Sequence, residues 1–399
     1  MSSKNRIKVE TSGVLDDDET PSGIVSIFPE IVDDAVTEAD EQRFLKVIST
    51  DLTEEQASQI LTPPQVYNRE KELIALHWHP EFIPMPLIKR RIETMFPNIE
   101  NSLIIPTQHN EFLSYDDVYS GVEIDCLSRG FNQKVQLLLH MKKERAEKAT
   151  ILKSMAEYTF KYRSSQLFDL IESFTKPVES RIIAAARATG VNQKLIDFVR
   201  LTVKKIYELI DKYHDDIPPL MFKNKLLRNY FDSLRDQNSD VIIDRAQAFI
   251  KAVKVEVKKE FPLTYFYRTS EVIEEARAIG AGIVVPHPEQ FWPILLANYD
   301  VDGIEIWNPQ SRKYTDFLIS VINEKNNTGR QGRRRLLVLM GDDTHMGEKT
   351  KAPSQQKDEK ALREIGVQPG WDDLLIKKKL ILAGMERKDV IREYRSRLG

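Results

Sequence analysis

The 399-residue sequence holds a single cysteine, Cys126. It cannot close an internal disulfide, so a small secreted scaffold stapled by bridges is excluded and a reducing compartment is expected. No apolar run approaches the length of about 20 residues needed to span a bilayer. The opening residues, Met1-Ser-Ser-Lys-Asn-Arg-Ile-Lys, lead into polar sequence instead of an apolar secretion core. These absences predict a cytoplasmic protein with no membrane partner. Charge of one sign is missing too: 58 Lys and Arg stand against 61 Asp and Glu, a formal charge of -3. Bulk binding of a polyanion is therefore not indicated, although a local basic groove for nucleic acid remains open. The basic run Arg330-Gln-Gly-Arg-Arg-Arg335 precedes its strand, which puts it at the amino end, so it reads as a solvated face. Hydrophobic residues make up 41% of the chain, enough for a large core and two to three domains.

Short apolar runs of strand length recur, and most end on a potential metal ligand. Leu73-Ile-Ala-Leu leads to His77 and His79, and Leu103-Ile-Ile-Pro-Thr-Gln to His109. Val122 leads to Glu123, Val135-Gln-Leu-Leu-Leu to His140, Ile283-Val-Val-Pro to His287, and Ile304 to Glu305. The last run, Leu336-Leu-Val-Leu-Met-Gly, reaches Asp342, Asp343 and His345. Amphipathic helices are expected at Met85–Phe96, Ser270–Gly280 and Ser311–Asn323, with Gly280 as a helix-ending glycine. Alternating strands and helices predict an α/β protein with a parallel sheet. The links 110–120 and 127–134 are too short to carry a helical crossover.

Five segments follow. Residues 1–66 read as a polar, largely flexible N-terminal segment with the acidic run Asp16-Asp17-Asp18-Glu19. Residues 67–140 and 263–350 form the two parts of the α/β unit. Residues 141–262 are helical throughout and form an insertion, either a cap over the site or a module that contacts a protein partner or second subunit. Residues 351–399 are a helical C-terminal extension.

Of seven histidines, six sit at strand ends, and only His214 stands apart. A lone histidine is usually structural, but burying six rings alike without a shared partner is costly. A metal cluster satisfies them together. In a strand, residues i and i+2 share a side, so His77 and His79 present parallel imidazoles, and Asp343 with His345 repeats the pattern. Imidazole and carboxylate donors suit Zn²⁺, Mn²⁺ or Fe²⁺.

This ordered series resembles the polymerase and histidinol phosphatase (PHP) superfamily of metal-dependent phosphoesterases. His77-Trp78-His79 is similar to its opening His-x-His, Thr107-Gln108-His109-Asn110 to its Thr-Asp-His-Asn, and Gly121-Val122-Glu123 to the Gly-x-Glu whose glutamate bridges two metals. Leu139-His140, Pro286-His287, Asp302-Gly303-Ile304-Glu305 and Asp343-Thr344-His345 are similar to the later motifs. The resemblance implies a distorted (β/α)7 TIM-like barrel and two or three divalent ions per chain. Its metal ligands would be His77, His79, His109, Glu123, His140, His287, Asp343 and His345, with Glu123, Asp343 and His345 catalytic.

It further implies hydrolysis of a phosphate ester by a metal-activated hydroxide, on a phosphorylated small molecule, a nucleotide or a nucleic-acid end. Arg129 and Arg312 follow ligand-bearing strands and stand either as phosphate-binding forks or as surface arginines. Lys349 and Lys351 either steer an anionic substrate or lie in a mobile loop, and Asp125 either supports Glu123 or is a barrel-end residue. Three departures from the family pattern bear on the third ion: Gln108 replaces an aspartate, Ala75-Leu76 stands before His77 where the family often has Asp-Leu, and no histidine follows the first pair. Glu81 is either a substitute there or a solvated carboxylate. The alternative function is a catalytically weak binding or regulatory module whose helical insertion contacts a partner. A carbon–nitrogen hydrolase would share the barrel, but its metal-bridging lysine is not evident.

Overall fold

The computed structural model describes residues 34–328, 334–351, 356 and 358–398. The acidic run at 16–19 and residues 330–333 of the basic run lie outside them. The strands are β1 (Glu72–Ala75), β2 (Trp78–His79), β3 (Asn101–Ile104), β4 (Leu113–Ser114), β5 (Tyr119–Ser128), β6 (Gln133–Lys142), β7 (Gly282–Val285), β8 (Gly303–Trp307), β9 (Leu337–Met340) and β10 (Thr344–His345).

The protein is a mixed α/β structure, and among the described residues the strands form three sheets. A six-stranded sheet runs β4-β5-β6-β7-β8-β9, and two parallel pairs join β1 to β3 and β2 to β10. β7, β8 and β9 are parallel to their neighbours and buried along their whole length, and apart from Glu305 of β8 their side chains are apolar, as in a covered parallel sheet. β5 and β6 are antiparallel, with Tyr119 opposite Lys142 and Ser128 opposite Gln133. The short 127–134 link is thus a hairpin turn, where a (β/α)7 barrel would carry a helix. β6 also meets β7 antiparallel.

The expected barrel is not closed by continuous strands. Single hydrogen bonds bridge the sheets at one end: Asp343 N donates to His77 O (2.9 Å), Glu123 N to Gln108 O (3.0 Å) and Asn110 N to Glu123 O (2.6 Å). These bridging residues carry or flank the proposed ligands.

Helices Met85–Met95, Thr269–Ala278 and Thr315–Thr328 flank the sheets. Gly280 adopts φ +67°, a left-handed conformation suited to glycine beyond a helix end. The insertion comprises seven α-helices from Lys143–Lys148 to Asp240–Glu260. Most of it has a core of its own, around Leu167, Val203, Phe231 and Phe249.

Part of the segment 1–66 is ordered helix. Helix Glu38–Ile48 starts on a Thr37 capping box and buries Phe44 and Ile48 in the insertion's core. Helix Glu54–Leu61 buries Ile60 beside Ile88 and Ile92. At the other end, helix Arg387–Arg397 buries Tyr394 against the amino end of β7. A Cβ on Gly282 would stand 2.6 Å from the Tyr394 hydroxyl, so only glycine lets the helix approach this closely.

Candidate metal centre

Local pairing explains how residues far apart in sequence meet. Trp78 turns into the core while His77 and His79, on either side of it, face one space. The β2–β10 register puts His345 opposite His79, and their rings stack with centroids 4.2 Å apart. A parallel bridge sets His109 beside Glu123, and the His109 and His79 rings stack at 4.4 Å. β7 delivers His287, whose ring centroid is 5.3 Å from that of His77.

Two carboxylate oxygens gather the ring nitrogens. Glu123 Oε2 lies 3.0 Å from His109 Nδ1, 3.3 Å from His79 Nε2 and 4.0 Å from His77 Nε2. Asp343 Oδ1 lies 3.5 Å from His345 Nε2 and 3.6 Å from the Nε2 atoms of both His77 and His79. Donor atoms of His79, His109 and His345 fall within 4.8 Å of one another, as do those of His77, His79 and Glu123.

The chemistry of this donor set fits divalent cations. His77 Nε2, both nitrogens of His79, His109 Nδ1, His287 Nδ1 and both oxygens of Glu123 are buried without a hydrogen-bond partner. Leaving so many buried polar atoms unpaired is costly, and a cation coordinated between them removes the cost.

Supporting contacts fix the orientation of the donors. Glu305 Oε1 lies 2.7 Å from His77 Nδ1, which selects the tautomer that leaves Nε2 free to ligate, and Glu305 Oε2 accepts from the His287 backbone N–H at 2.9 Å. Gln310 Nε2 donates to Asp343 Oδ2 at 2.9 Å, and Arg363 Nη1 donates to the same oxygen at 2.6 Å. Among the described residues, four of the five non-glycine residues with positive φ belong here: Glu81 (+53°), Asn110 (+54°), His287 (+25°) and Asp343 (+48°). Backbone strain of this kind collects where a site overrides local preference.

Electrostatics follow the geometry. Burial opposes charging of His77, but Glu305, then Asp343 and Glu123, outweigh it and hold the imidazolium up to about 10. Burial, with His345 and His109 adding to it, pushes His79 down to about 3. Burial also works against the carboxylates of Glu123 and Asp343, yet neighbouring imidazoles keep both below the usual range. Ligating imidazoles must be neutral, so cation binding at His77 would displace a proton. Glu289, two residues past His287, is raised to about 7 by burial and by the charges of Glu305 and Asp343.

The expected site residues divide. His77, His79, His109, Glu123, Asp343 and His345 converge, and His287 adjoins them. His140 is drawn elsewhere: Nε2 lies 2.9 Å from Leu76 O and Nδ1 lies 2.7 Å from the Tyr394 hydroxyl. With both nitrogens committed and burial pushing it down to about 3, it is a neutral structural histidine behind His77, and its assignment as a ligand is withdrawn.

Arg129 is exposed in the β5–β6 turn, six residues and about 20 Å along the chain from Glu123. Arg312 is exposed as well, and from its segment it is Gln310 that touches the cluster. The phosphate-fork reading of both arginines is corrected accordingly. Lys349 is buried on Glu364 (2.6 Å) and two backbone carbonyls, and Lys351 pairs with Glu348 at 2.5 Å. Neither is free to steer a substrate. Asp125 is paired with Lys134 and held by Asn110, behind Glu123.

The sequence leaves Glu81 open between a substitute ligand and a solvated carboxylate, and three further residues, Lys223, Lys225 and Arg363, are not evident from motifs. Glu81 is a buried carboxylate 3.4 Å from His345 Nδ1, with Lys223 and Lys225 of the insertion each 3.8 Å from its Oε1. Those two lysines bring the insertion to the edge of the cluster. Arg363 comes from the C-terminal extension, where no strand or motif marks it.

No protein-family model matches the chain, and no curated protein does. A solved structure named "putative metal-dependent phosphoesterase", from Bifidobacterium adolescentis, aligns over 84% of this chain and 97% of its own at 16% identity, with a TM-score of 0.44. A likeness that distant carries no functional argument.

Proposed function

We propose that this protein is a metal-dependent phosphoesterase of the PHP type, holding two or three Zn, Mn or Fe ions between its two strand-end clusters. The observation that carries the reading is the convergence of five imidazoles and two carboxylates, seven of whose nitrogen and oxygen atoms are buried with no hydrogen-bond partner. His77, His79, Glu123 and Asp343 would hold the ions, and His109, His287 and His345 extend the donor set. Ions bound there supply Lewis acidity toward phosphoryl oxygens and a water of low pKa.

The chain itself supplies orientation and charge. Glu305 sets the His77 tautomer, while Arg363 and Gln310 hold one oxygen of Asp343 and leave the other toward the histidines. Lys223, 3.8 Å from Glu81 beside His345 and not taken up by Glu348 as Lys225 is, favours an anionic substrate such as a phosphorylated small molecule or nucleotide. A distorted barrel belongs to this proposal, with the β5–β6 hairpin in place of one helical crossover and the single hydrogen bonds at the histidine end acting as its closure.

The test is elemental analysis of the loaded protein followed by a phosphatase and nuclease panel with Mn²⁺. Two or more ions per chain and hydrolysis that falls at least about 10³-fold in Glu123→Gln are expected. Loaded protein that cleaves no phosphoester, or a His77→Ala protein as active as the parent, rejects the reading. The loss of His140 from the donor set favours a second reading, a binding module that has lost catalytic strength. Fewer than two tightly held ions per chain would select it.

A further inference from the structure

A basic and apolar helix face lies at the end of the molecule away from the histidines. Helix Leu374–Leu382 reads Leu-Leu-Ile-Lys-Lys-Lys-Leu-Ile-Leu. Leu380 is buried, whereas Leu374, Leu375, Ile381 and Leu382 are 82%, 73%, 51% and 80% exposed. At about 100° per residue these four share an arc of roughly 120°, with Lys378 inside it and Lys377 and Lys379 on its two flanks. Four large apolar side chains grouped on one exposed arc imply a partner.

The charges say which partner. Lys379 is paired with Asp316 at 2.6 Å, but among the described residues Lys377 and Lys378 have no ion-pair partner. The acidic residues at the helix start are committed within the fold: Asp373 caps the backbone N–H groups of Leu375 and Ile376, and Asp372 pairs with Arg387 at 2.9 Å. Arg334 and Arg335 line the cleft that Leu382 and Ala383 border. A second copy of the chain docked by two-fold symmetry would set Lys377 and Lys378 against their own counterparts. An anionic lipid surface satisfies both features, taking the leucines into its acyl boundary while the lysines reach up to lipid phosphates.

We propose that helix Leu374–Leu382 seats the protein on an anionic lipid bilayer. The expectation of no membrane partner came from the lack of a spanning run. No helix among the described residues is long and apolar enough to cross a membrane, and a helix lying in the interface has no such requirement. The face stands at the amino end of β9: Arg335, before that strand, donates to Ala383 O, and Asp343 follows its far end. Docking there leaves the candidate metal centre open to solvent.

The experiment is co-sedimentation of the full chain with phosphatidylcholine vesicles, with and without phosphatidylserine. Binding only to the phosphatidylserine vesicles is expected, weakening with added salt. Lys377→Ala with Lys378→Ala should reduce it about 30-fold, and Leu375→Glu with Leu382→Glu should abolish it. All four positions are solvent-facing, so unchanged thermal melting verifies the fold. No binding to anionic vesicles overturns the proposal, as does equal binding to neutral ones. A solution dimer that Leu382→Glu dissociates, without vesicle binding, would make the face a self-association surface and overturn it as well.

Discussion

Arg363 Nη1 donates both to Asp343 Oδ2, at 2.6 Å, and to the Asp343 carbonyl oxygen, at 3.1 Å. Side chain and backbone of one candidate ligand are thereby held by a single guanidinium, itself buried. Oδ2 also accepts from Gln310, so only Oδ1 is left toward His77, His79 and His345. Positioning contacts of this kind typically change metal affinity 10- to 100-fold. Arg363→Ala should therefore weaken Mn²⁺ or Zn²⁺ binding by about that factor in a chelator competition, with Arg363→Lys recovering part of it. Unchanged affinity in both variants would show that Asp343 is oriented without Arg363, or does not ligate.

The insertion's lysines make a separate prediction. Lys223 and Lys225 each lie 3.8 Å from Glu81 Oε1, and Lys225 also pairs with Glu348 at 3.0 Å. Burial pushes Lys223 down to about 8, so it is still largely charged at neutral pH. Replacing Lys223 by Ala should raise KM for a phosphorylated substrate by about tenfold while leaving metal stoichiometry unchanged, because the lysine acts on substrate charge. Kinetics with a mono- and a diphosphorylated substrate checks this, and the larger effect is expected on the more highly charged one.

What was legible in the sequence was the set of strand-end ligands, because the chemistry of a strand end is local: His77-Trp78-His79 announces its own geometry through the two-residue period of a strand. His140 shows the limit of that rule. It ends a strand like the others, yet Tyr394, more than 250 residues later, takes its Nδ1, and no local pattern foretells that capture. Arg363 and Lys223 were hidden for the same reason, since both sit in irregular segments beside short helices and reach the site only through tertiary packing. The antiparallel β5–β6 hairpin was half visible, as a link too short for a crossover. Burial of Phe44 by the insertion turned part of a polar segment into ordered helix.

Gly341 lies where a side chain cannot fit. A Cβ there would stand 2.0 Å from Glu305 Oε1, and that carboxylate is pinned by His77 on one side and the His287 N–H on the other. Gly341→Ala should destabilise the protein by about 1–3 kcal/mol through overpacking and also disturb the His77 tautomer. In a double-mutant cycle, Glu305→Ala should remove most of the alanine's cost, because the clash has a single source. Additive effects in urea denaturation would instead place the strain elsewhere.

His140 carries a pH signature that follows from its burial. Its ordinary pKa is 6.5, and desolvation pushes the folded value down to about 3. Above pH 6.5 both folded and unfolded chains hold it neutral, so it contributes no pH dependence. Below 6.5 the unfolded chain takes up a proton that the folded chain refuses, so stability falls with falling pH until about pH 3. At pH 5.5 the loss from this one group is about 1.4 kcal/mol. Urea denaturation of chelator-treated protein at pH 7.5 and 5.5 isolates it by comparison with His140→Asn. The variant should be less stable at pH 7.5, having lost bonds to Leu76 and Tyr394, but should lose less on acidification, by about the same 1.4 kcal/mol. His79, also held down by burial, acts in the same direction in both proteins and cancels from the comparison. Equal losses in the two would mean that His140 is protonated in the folded chain, and the neutral hydrogen-bonded role assigned to it would fall.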